Sequence, residues 1–188
     1  MTIDRVQICR YLKLYGRKPG EALSARIDAM LAEAEKAMRP ARVYLRLDDV
    51  SRLDMRGSVS LAKHLAGCRA VYLVCTTIGA GFDALQRRTA AKSASDAFVL
   101  QAIGAAAIEA WTDDTEDEIR RGLALGERLV PRYSPGYGDW PLEAQRDIMS
   151  MLDAPRTAGV SLTGTLLMVP SKSVSAAIGV KKETEEAK

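Results

Sequence analysis

Residues 160–180 read VSLTGTLLMVPSKSVSAAIGV, and this stretch decides the fold class. It contains two extended runs, 160–169 and 173–180, and both follow a segment at 141–152 whose pattern predicts a helix. Upstream, the run AVYLVCT at residues 70–76 is apolar on both faces and rich in β-branched side chains, which is typical of a central strand. Strands and helices are therefore mixed rather than regularly alternating, and the sequence predicts an α+β domain instead of a doubly wound sheet.

The remaining segments add helices around these strands. Helical spacing of apolar residues predicts helices at 4–15 and at 19–40. A longer helix is predicted to begin with the capping box at Ser93 and to end near Gly122. Residues 42–47 alternate between polar and apolar side chains, which predicts a strand with one solvated face. The buried face of that strand is predicted to carry Val43, Leu45 and Leu47.

Length and composition are those of one soluble globular domain. The chain has 188 residues, of which 47% are hydrophobic and 27% are charged, and these values are close to the averages of folded proteins. We expect the domain to cover residues 1–180 and the charged end, 181–188, to be a disordered tail. Because no apolar run approaches the roughly 20 residues that span a bilayer and no secretory signal opens the chain, we expect a cytoplasmic protein without a membrane partner.

Charge and metal-binding residue types exclude several classes of function. A net charge of +3, with both signs mixed along the chain, does not form the basic patch that nucleic acid requires. Cys9, Cys68 and Cys75 form no CxxC pair, so neither a disulfide framework nor a thiolate metal site is suggested. His64 is the only histidine, which excludes a His-rich metal site and paired imidazole catalysis.

Two features of the long helix have simple structural interpretations. Residues 102–107 are small and include Gly104, which predicts that another backbone packs closely against them. Residues 113–118 are mostly acidic and precede two arginines, and charge pairs at i,i+4 spacing predict a solvated helix face. Those pairs are Glu116 with Arg120 and Asp117 with Arg121.

The segment TIGAGF at residues 77–82 imitates a nucleotide-binding glycine loop, because it lies between a strand and a helix predicted at 83–89. The fingerprint lacks its third glycine, no acidic residue closes the next strand, and the βα alternation of a Rossmann-like enzyme is absent downstream. A tight turn in which glycine supplies backbone freedom is the favoured interpretation, and a cofactor-binding loop is the alternative.

The segment RYSPGYGDWP, residues 132–141, concentrates recognition chemistry. Its prolines and glycines fix the backbone and permit close approach of a ligand. Its arginine can bind a carboxylate through two parallel hydrogen bonds, and an aromatic face can attract a cationic sulfonium. These are the two poles of S-adenosylmethionine. A purely structural alternative is a turn at Pro135-Gly136, a helix cap at Asp139 and two rings, Tyr137 and Trp140, packed beneath the loop.

The run RYSPGY, Arg132 to Tyr137, resembles in order and spacing the RxxPGY element of the activation domain of cobalamin-dependent methionine synthase. Residues 160–165 (VSLTGT) and 169–175 (VPSKSVS) resemble that family's successive LTES and PxxSVS elements, in the same order. The opening RYL…YG, residues 10–16, resembles free-standing members. The resemblance implies a curved antiparallel sheet flanked by helices.

The resemblance also implies a set of site residues. Arg132 would bind the carboxylate of S-adenosylmethionine, and Tyr137 would lie beside the sulfonium and the corrin as the catalytic residue. Glu109, on the long helix, would face either a ligand ammonium or Arg132 itself. Glu127 resembles a second family glutamate, although it lies one residue closer to Arg132. The implied ligand-binding set is Arg132, Ser134, Gly136, Tyr137, Glu109 and Glu127, without a metal ligand.

The implied function is the repair of a corrinoid cofactor. A free-standing domain of this kind binds S-adenosylmethionine and docks on the cobalamin-binding module of methionine synthase or on a related corrinoid protein. There it supports the reductive remethylation of cob(II)alamin, and the electron comes from a flavodoxin or a ferredoxin-type donor. The chain would be an accessory to methyl transfer, and its own contribution would be mostly positioning.

Departures from the family's pattern leave two alternatives open. The glutamate of the LTES element is Gly164 here, and the resemblance does not extend to a late tyrosine of the family's ligand site. A noncatalytic module that docks on a corrinoid protein without binding S-adenosylmethionine is the first alternative. An independent S-adenosylmethionine-dependent methyltransferase that uses the loop at 77–82 is the second.

Overall fold

The computed structural model describes residues 1–182, whose regular elements are seven α-helices and six β-strands. The helices are α1 (Arg5–Tyr11), α2 (Glu21–Ala37), α3 (Val59–His64), α4 (Ala80–Ala90), α5 (Ala94–Arg121), α6 (Ala144–Leu152) and α7 (Ala154–Thr157). The strands are β1 (Ala41–Leu47), β2 (Ala70–Thr77), β3 (Glu127–Leu129), β4 (Ser161–Leu162), β5 (Met168–Val169) and β6 (Ser173–Lys182).

Four strands form one antiparallel sheet in the order β1-β2-β6-β3, and β4 and β5 form a separate hairpin. The centre of the sheet is the pair β2 and β6, in which Tyr72 lies opposite Ile178. The predicted α+β class, with an antiparallel sheet flanked by helices, is confirmed.

Both faces of the sheet are covered, so every residue of β2 is buried. Since successive side chains of a strand point to opposite faces, β2 contributes to two cores. Leu73 packs on one face in a core that includes Trp140 and residues of α6. Tyr72 packs on the other face with Ile119 of α5. An apolar run without alternation is therefore the expected sequence of this strand.

The long helix α5 has the predicted ends. The side chain of Ser93 accepts a hydrogen bond from the Asp96 N–H at 3.2 Å, and Gly122 follows the last turn. A third core surrounds its amino-terminal half and contains residues of α1, α2 and α4. A side chain at Gly104 would collide with the ring of Phe82. The small stretch thus accommodates an aromatic ring of α4, where the sequence predicted another backbone.

Two predicted elements differ in extent. α1 ends at Tyr11 instead of continuing to residue 15, because Lys13 and Tyr15 adopt positive φ angles of 59° and 45°. The run 160–169 is not one strand but folds back on itself as the β4–β5 hairpin, with the Thr163 N–H bonded to the Leu167 carbonyl at 2.9 Å. Residues between the two short strands turn, and this places the hairpin beside the start of β6.

The ends of the sheet also correct two expectations. β6 continues to Lys182 and pairs with β3 there, so the first two residues of the predicted tail belong to the domain. The rest of that tail, 183–188, lies outside the described residues. On β1, Leu47 is buried as predicted, but Leu45 is 39% exposed because β1 is an edge strand.

No helix formed by residues 1–182 combines the length and the apolar character needed to cross a bilayer.

Candidate functional site

A cleft of about 860 Å³ opens between the start of β6, the β4–β5 hairpin and the loop that joins β3 to α6. Its volume lies in the range of small-molecule sites. Most of the lining surface is apolar, and a few polar groups converge on it. The lining includes Glu109, Arg132, Ser134 and Tyr137, four of the six ligand-binding residues predicted from the sequence. We name the loop of residues 130–141 the recognition loop.

Arg132 is held by three carboxylates of one helix. Its Nη1 donates to Asp113 Oδ1 at 2.7 Å and to Glu116 Oε1 at 2.5 Å, and its Nη2 donates to Glu109 Oε2 at 2.5 Å. The three acidic residues occupy positions i, i+4 and i+7 of α5, which place them on one face of the helix. We name them the acidic collar.

The collar fixes both the position and the charge of the guanidinium. Burial alone would lower the pKa of Arg132, but its hydrogen bonds to Glu116 and Asp113 hold that pKa above the ordinary value. Glu116 is the most enclosed of the three carboxylates, with a side chain 13% exposed, whereas the Asp113 side chain is 64% exposed. Glu109 alone of the three lines the cleft. Arg132 and Glu109 thus present adjacent positive and negative groups to the same cavity.

The recognition loop is joined to β6 at Val130, whose N–H donates to the Gly179 carbonyl at 2.9 Å, and at Tyr133, and it is exposed at Tyr137. Tyr133 forms an isolated bridge to Ala177 of β6, with two N–H to carbonyl bonds of 2.9 Å. Trp140, at the end of the loop, is 1% exposed and belongs to the core beneath it. Tyr137, in contrast, is 68% exposed at the edge of the cleft. The structural alternative therefore holds for Trp140 but is wrong for Tyr137, whose ring lies open to solvent.

Asp139 ties the recognition loop to α3. It accepts hydrogen bonds from the Ser58 hydroxyl at 2.5 Å, from the Val59 N–H at 2.9 Å and from the Ser60 N–H at 3.1 Å. The Ser60 hydroxyl is also 2.8 Å from the Tyr133 hydroxyl. Asp139 therefore binds the first turn of α3, whereas the sequence offered a cap on the helix that follows the loop.

Asp139→Asn is expected to lower the thermal unfolding midpoint at neutral pH, and the difference should begin to narrow only below about pH 4. Hydrogen bonds from Ser58 and Ser60 hold the pKa of the Asp139 carboxyl well below its ordinary value. A group with a lowered folded-state pKa stabilises the fold above its unfolded pKa, near 3.9, and loses that effect as the pH falls toward the folded value. Unfolding midpoints of both proteins between neutral pH and about pH 2 measure the difference. A gap of constant size across that range would contradict this assignment.

His64 supports the loop from the other side. Its Nε2 is 2.7 Å from the carbonyl oxygen of Pro131, the residue before Arg132, and its ring centroid is 5.0 Å from that of Tyr133. Because a carbonyl oxygen only accepts, Nε2 carries the proton. The single histidine therefore stabilises the recognition loop through a hydrogen bond and a ring contact.

The remaining predicted positions lie apart from the cleft lining. Glu127, in β3, binds Arg46 of β1 through both carboxylate oxygens, at 2.7 and 3.1 Å, and this pairing lowers its pKa. Its predicted place in the ligand site is therefore not supported by the geometry. Gly136 takes a φ of +91° and a side chain there would press on Leu142, which accounts for glycine in the turn. Gly164 lies on the hairpin, where a side chain would meet nothing within 4 Å.

The glycines of the 77–82 loop pack against protein rather than against a cavity. A Cβ on Gly79 would lie 2.6 Å from the Arg39 carbonyl oxygen, and one on Gly81 would collide with the Ala37 carbonyl oxygen. Gly79 also has a positive φ of 88° where it precedes α4. Close approach to the end of α2 therefore explains both glycines, as the tight-turn interpretation predicted.

Sequence reasoning missed three residues at the site. Asp113 and Glu116 were assigned to a solvated face with Arg120, yet both bind Arg132, and Arg120 pairs with Asp117. The spacing of the three acids on α5 was the available signal. Gln145 of α6 is 3% exposed, lines the cleft and donates to the Leu166 carbonyl at 3.2 Å.

Comparison with known proteins assigns the chain to a family. The family model described as the activation domain of vitamin B12 dependent methionine synthase matches residues 60–186. The chain belongs to this family. Its match includes α5, the recognition loop and β6, and therefore every residue of the predicted site.

A solved structure supports the same fold. The chain is similar to the MetH reactivation domain in its crystal structure with bound AdoHcy, with a TM-score of 0.65 and 16% sequence identity. The alignment covers 100% of this chain and 72% of that one. At this identity the likeness establishes the activation-domain fold. No curated protein matches the sequence.

Proposed function

We propose that this chain binds S-adenosylmethionine in the cleft and presents its methyl group to cobalamin on a partner protein, so that an inactivated cobalamin is remethylated. The partner is the cobalamin-binding module of methionine synthase or a related corrinoid protein, and the chain acts on it in trans. Membership of the activation-domain family and a fold shared with a domain that was crystallised with AdoHcy support the proposal.

The observation that carries the proposal is the Arg132–Glu109 pair on the wall of the cleft. An amino acid end carries a carboxylate beside an ammonium, and the pair offers a guanidinium beside a carboxylate. Arginine suits the ligand carboxylate because its fork of donors matches two oxygens. The apolar lining and the volume of the cleft fit the adenosine part of the ligand. The residues present therefore fit S-adenosylmethionine.

The rim of the cleft fits a large apolar partner surface. Four apolar side chains around the opening are exposed: Tyr137 at 68%, Leu167 at 65%, Val169 at 47% and Leu142 at 38%. Contiguous exposed apolar groups mark binding surfaces in soluble proteins. A corrin held by a partner would cover this rim, and the ring of Tyr137 would lie between the cleft and that partner.

The contribution of this chain to the reaction is positioning. When bound by the partner, cobalamin supplies the cobalt that takes the methyl group, and one electron from a flavodoxin or ferredoxin-type protein accompanies the transfer. Arg132 and Glu109 orient the amino acid end, the recognition loop excludes water, and Tyr137 guides the sulfonium toward the opening. Holding two reactants in register accounts for large rate effects without acid or base chemistry.

Reactivation in trans tests the proposal. The protein, S-adenosylmethionine and a low-potential reductant are added to a cob(II)alamin-loaded methionine synthase that lacks its own activation domain, and methylcobalamin is followed by its absorbance. We expect methylcobalamin to form, and omission of any one component to stop it. The same yield with and without the protein, across corrinoid partners, would reject the function.

Tyr137→Ala separates this function from a scaffold role. We expect the substitution to slow remethylation more than it weakens S-adenosylmethionine binding, because the exposed ring faces the partner. Tyr137→Phe keeps the ring and should retain most of the rate. Leu125→Ala, which removes a fully exposed side chain away from the cleft lining, is the matched control. If Tyr137→Ala changes neither the rate of remethylation nor the affinity for S-adenosylmethionine, the proposed role of Tyr137 is contradicted.

A second candidate is a docking module that no longer binds S-adenosylmethionine. The collar favours it, since the hydrogen bonds that Arg132 gives to three carboxylates compete with those it would give to a ligand carboxylate. Calorimetric titration with S-adenosylmethionine distinguishes the candidates, because only the reactivation function requires the protein to bind this ligand.

A further inference from the structure

We infer that the acidic collar makes the cleft select the cationic S-adenosylmethionine over its neutral demethylated product, S-adenosylhomocysteine. The inference rests on the proposed function and concerns how the same site tells substrate from product. Glu109, Asp113 and Glu116 are the residues that set this preference.

The charges of the two ligands differ by one unit at one atom. S-adenosylmethionine carries a carboxylate, an ammonium and a sulfonium, and its net charge is +1. S-adenosylhomocysteine has a thioether in place of the sulfonium, and its net charge is zero. Hydrogen bonds to the amino acid end and apolar contacts to the nucleoside are common to both ligands. A site therefore distinguishes them mainly through its electrostatic potential near the sulfur.

The collar supplies a negative potential at the cleft. Its three carboxylates surround the single guanidinium of Arg132, which leaves an excess of negative charge. A second cleft of about 540 Å³ behind Glu109 and Asp113 is lined by further acidic side chains of α5 and by Arg10. Even when the charge of Arg10 is counted together with that of Arg132, the three carboxylates leave an excess of negative charge.

Of the three other acidic residues of that cleft, Asp4 caps the start of α1 and two are paired with cations. Asp114 pairs with Arg42 at 3.8 Å, and Asp117 pairs with Arg120. On α5, the uncompensated charge of the acids that line this cleft therefore belongs to the collar. Tyr11 lines the second cleft, and burial and the charge of Glu109 raise its pKa against the opposing charges of Arg10 and Arg132.

Enclosure makes the excess charge effective. The side chains of Arg132 and Glu116 are 26% and 13% exposed, so the charge of Glu116 is screened less than those of the more exposed Glu109 and Asp113. Transfer of the methyl group removes the positive charge of the ligand without moving its carboxylate or its ammonium. The attraction then falls, which favours release of the product and its replacement by a new substrate molecule.

Calorimetric dissociation constants for both ligands test the inference. We expect the wild-type protein to bind S-adenosylmethionine more tightly than S-adenosylhomocysteine. Glu116→Gln should reduce that preference by about threefold to tenfold, and the more exposed Asp113→Asn by about twofold. Asp117→Asn removes the same charge from the same helix but from a locally paired position, and should leave the preference unchanged. A displaced Arg132 would weaken both ligands alike, so the ratio of the two constants isolates the sulfonium charge.

The outcomes separate the two proposals. Two outcomes would overturn the collar inference without rejecting the proposed function. One is equal affinity of the wild-type protein for the two ligands, and the other is a preference that neither collar substitution changes. A wild-type protein that binds neither ligand would reject the proposed function, and the inference with it.

Discussion

Arg132→Ala is expected to weaken S-adenosylmethionine binding by about 2 to 5 kcal/mol, the range seen when one partner of a hydrogen-bonded, desolvated charge pair is removed. The loss has two sources. The ligand carboxylate loses its guanidinium, and the three carboxylates of the collar remain beside the cleft without a cation to hold them. Isothermal titration calorimetry measures the loss, with circular dichroism to establish that the variant is folded.

Substitution by lysine refines this test. Arg132→Lys should restore only part of the affinity, because a point charge cannot reproduce three donor contacts in one plane. Arg128→Ala removes an exposed arginine of β3 that does not line the cleft, and it should bind like the wild type. Unchanged affinity in a folded Arg132→Ala protein would overturn the proposed site.

Trp140→Ala is expected to lower the free energy of unfolding by about 3 to 5 kcal/mol, the usual cost of emptying the space of a large core aromatic residue. Trp140 is among the largest fully buried side chains, and it anchors the end of the recognition loop. Since small domains are stable by about 5 to 15 kcal/mol, the variant should unfold at much lower denaturant concentration. Urea titration followed by circular dichroism measures the change.

Trp140→Phe is the matched control. Within residues 1–182 the buried Nε1–H of Trp140 finds no acceptor, so phenylalanine removes an unsatisfied donor together with part of the ring. We expect it to cost much less than alanine does. A loss below 1 kcal/mol for Trp140→Ala would mean that the core beneath the loop closes over the empty space, in conflict with the close packing described here.

The central features of the fold could be predicted from short-range patterns. The run at 70–76 signals a strand buried on both faces, and the capping box at Ser93 signals the start of α5, because both depend on neighbours in the chain. β3 escaped prediction because its three residues are too few to show a period, and it exists through pairing with β6. The hairpin at 160–169 was read as one strand because its apolar content hides the turn.

The candidate site was predictable where a compact motif carried it. The recognition loop brings Arg132 and Tyr137 to one cleft, and Glu109 lies beside Arg132 as the sequence suggested. Asp113 and Glu116 were misassigned because nearby arginines on the same helix offered closer partners in sequence. Only the fold brings Arg132 to that helix face. The assignment of Glu127 depended on spacing alone, and in the structure its carboxylate binds Arg46 of a distant strand.

The position of β6 determines when this protein becomes competent to bind. β6 lies between β2 and β3, yet it is synthesised after both, and about half the chain separates it from β2. A nascent chain therefore holds β2 with one side unpaired until residues 173–182 leave the ribosome, and the recognition loop lacks its anchor at Ala177. Pairing over such a separation is slow, and unpaired strand edges invite aggregation meanwhile. Ligand binding should thus arise only once β6 has paired, and chaperones that shield the open edge of β2 should raise the yield of active protein.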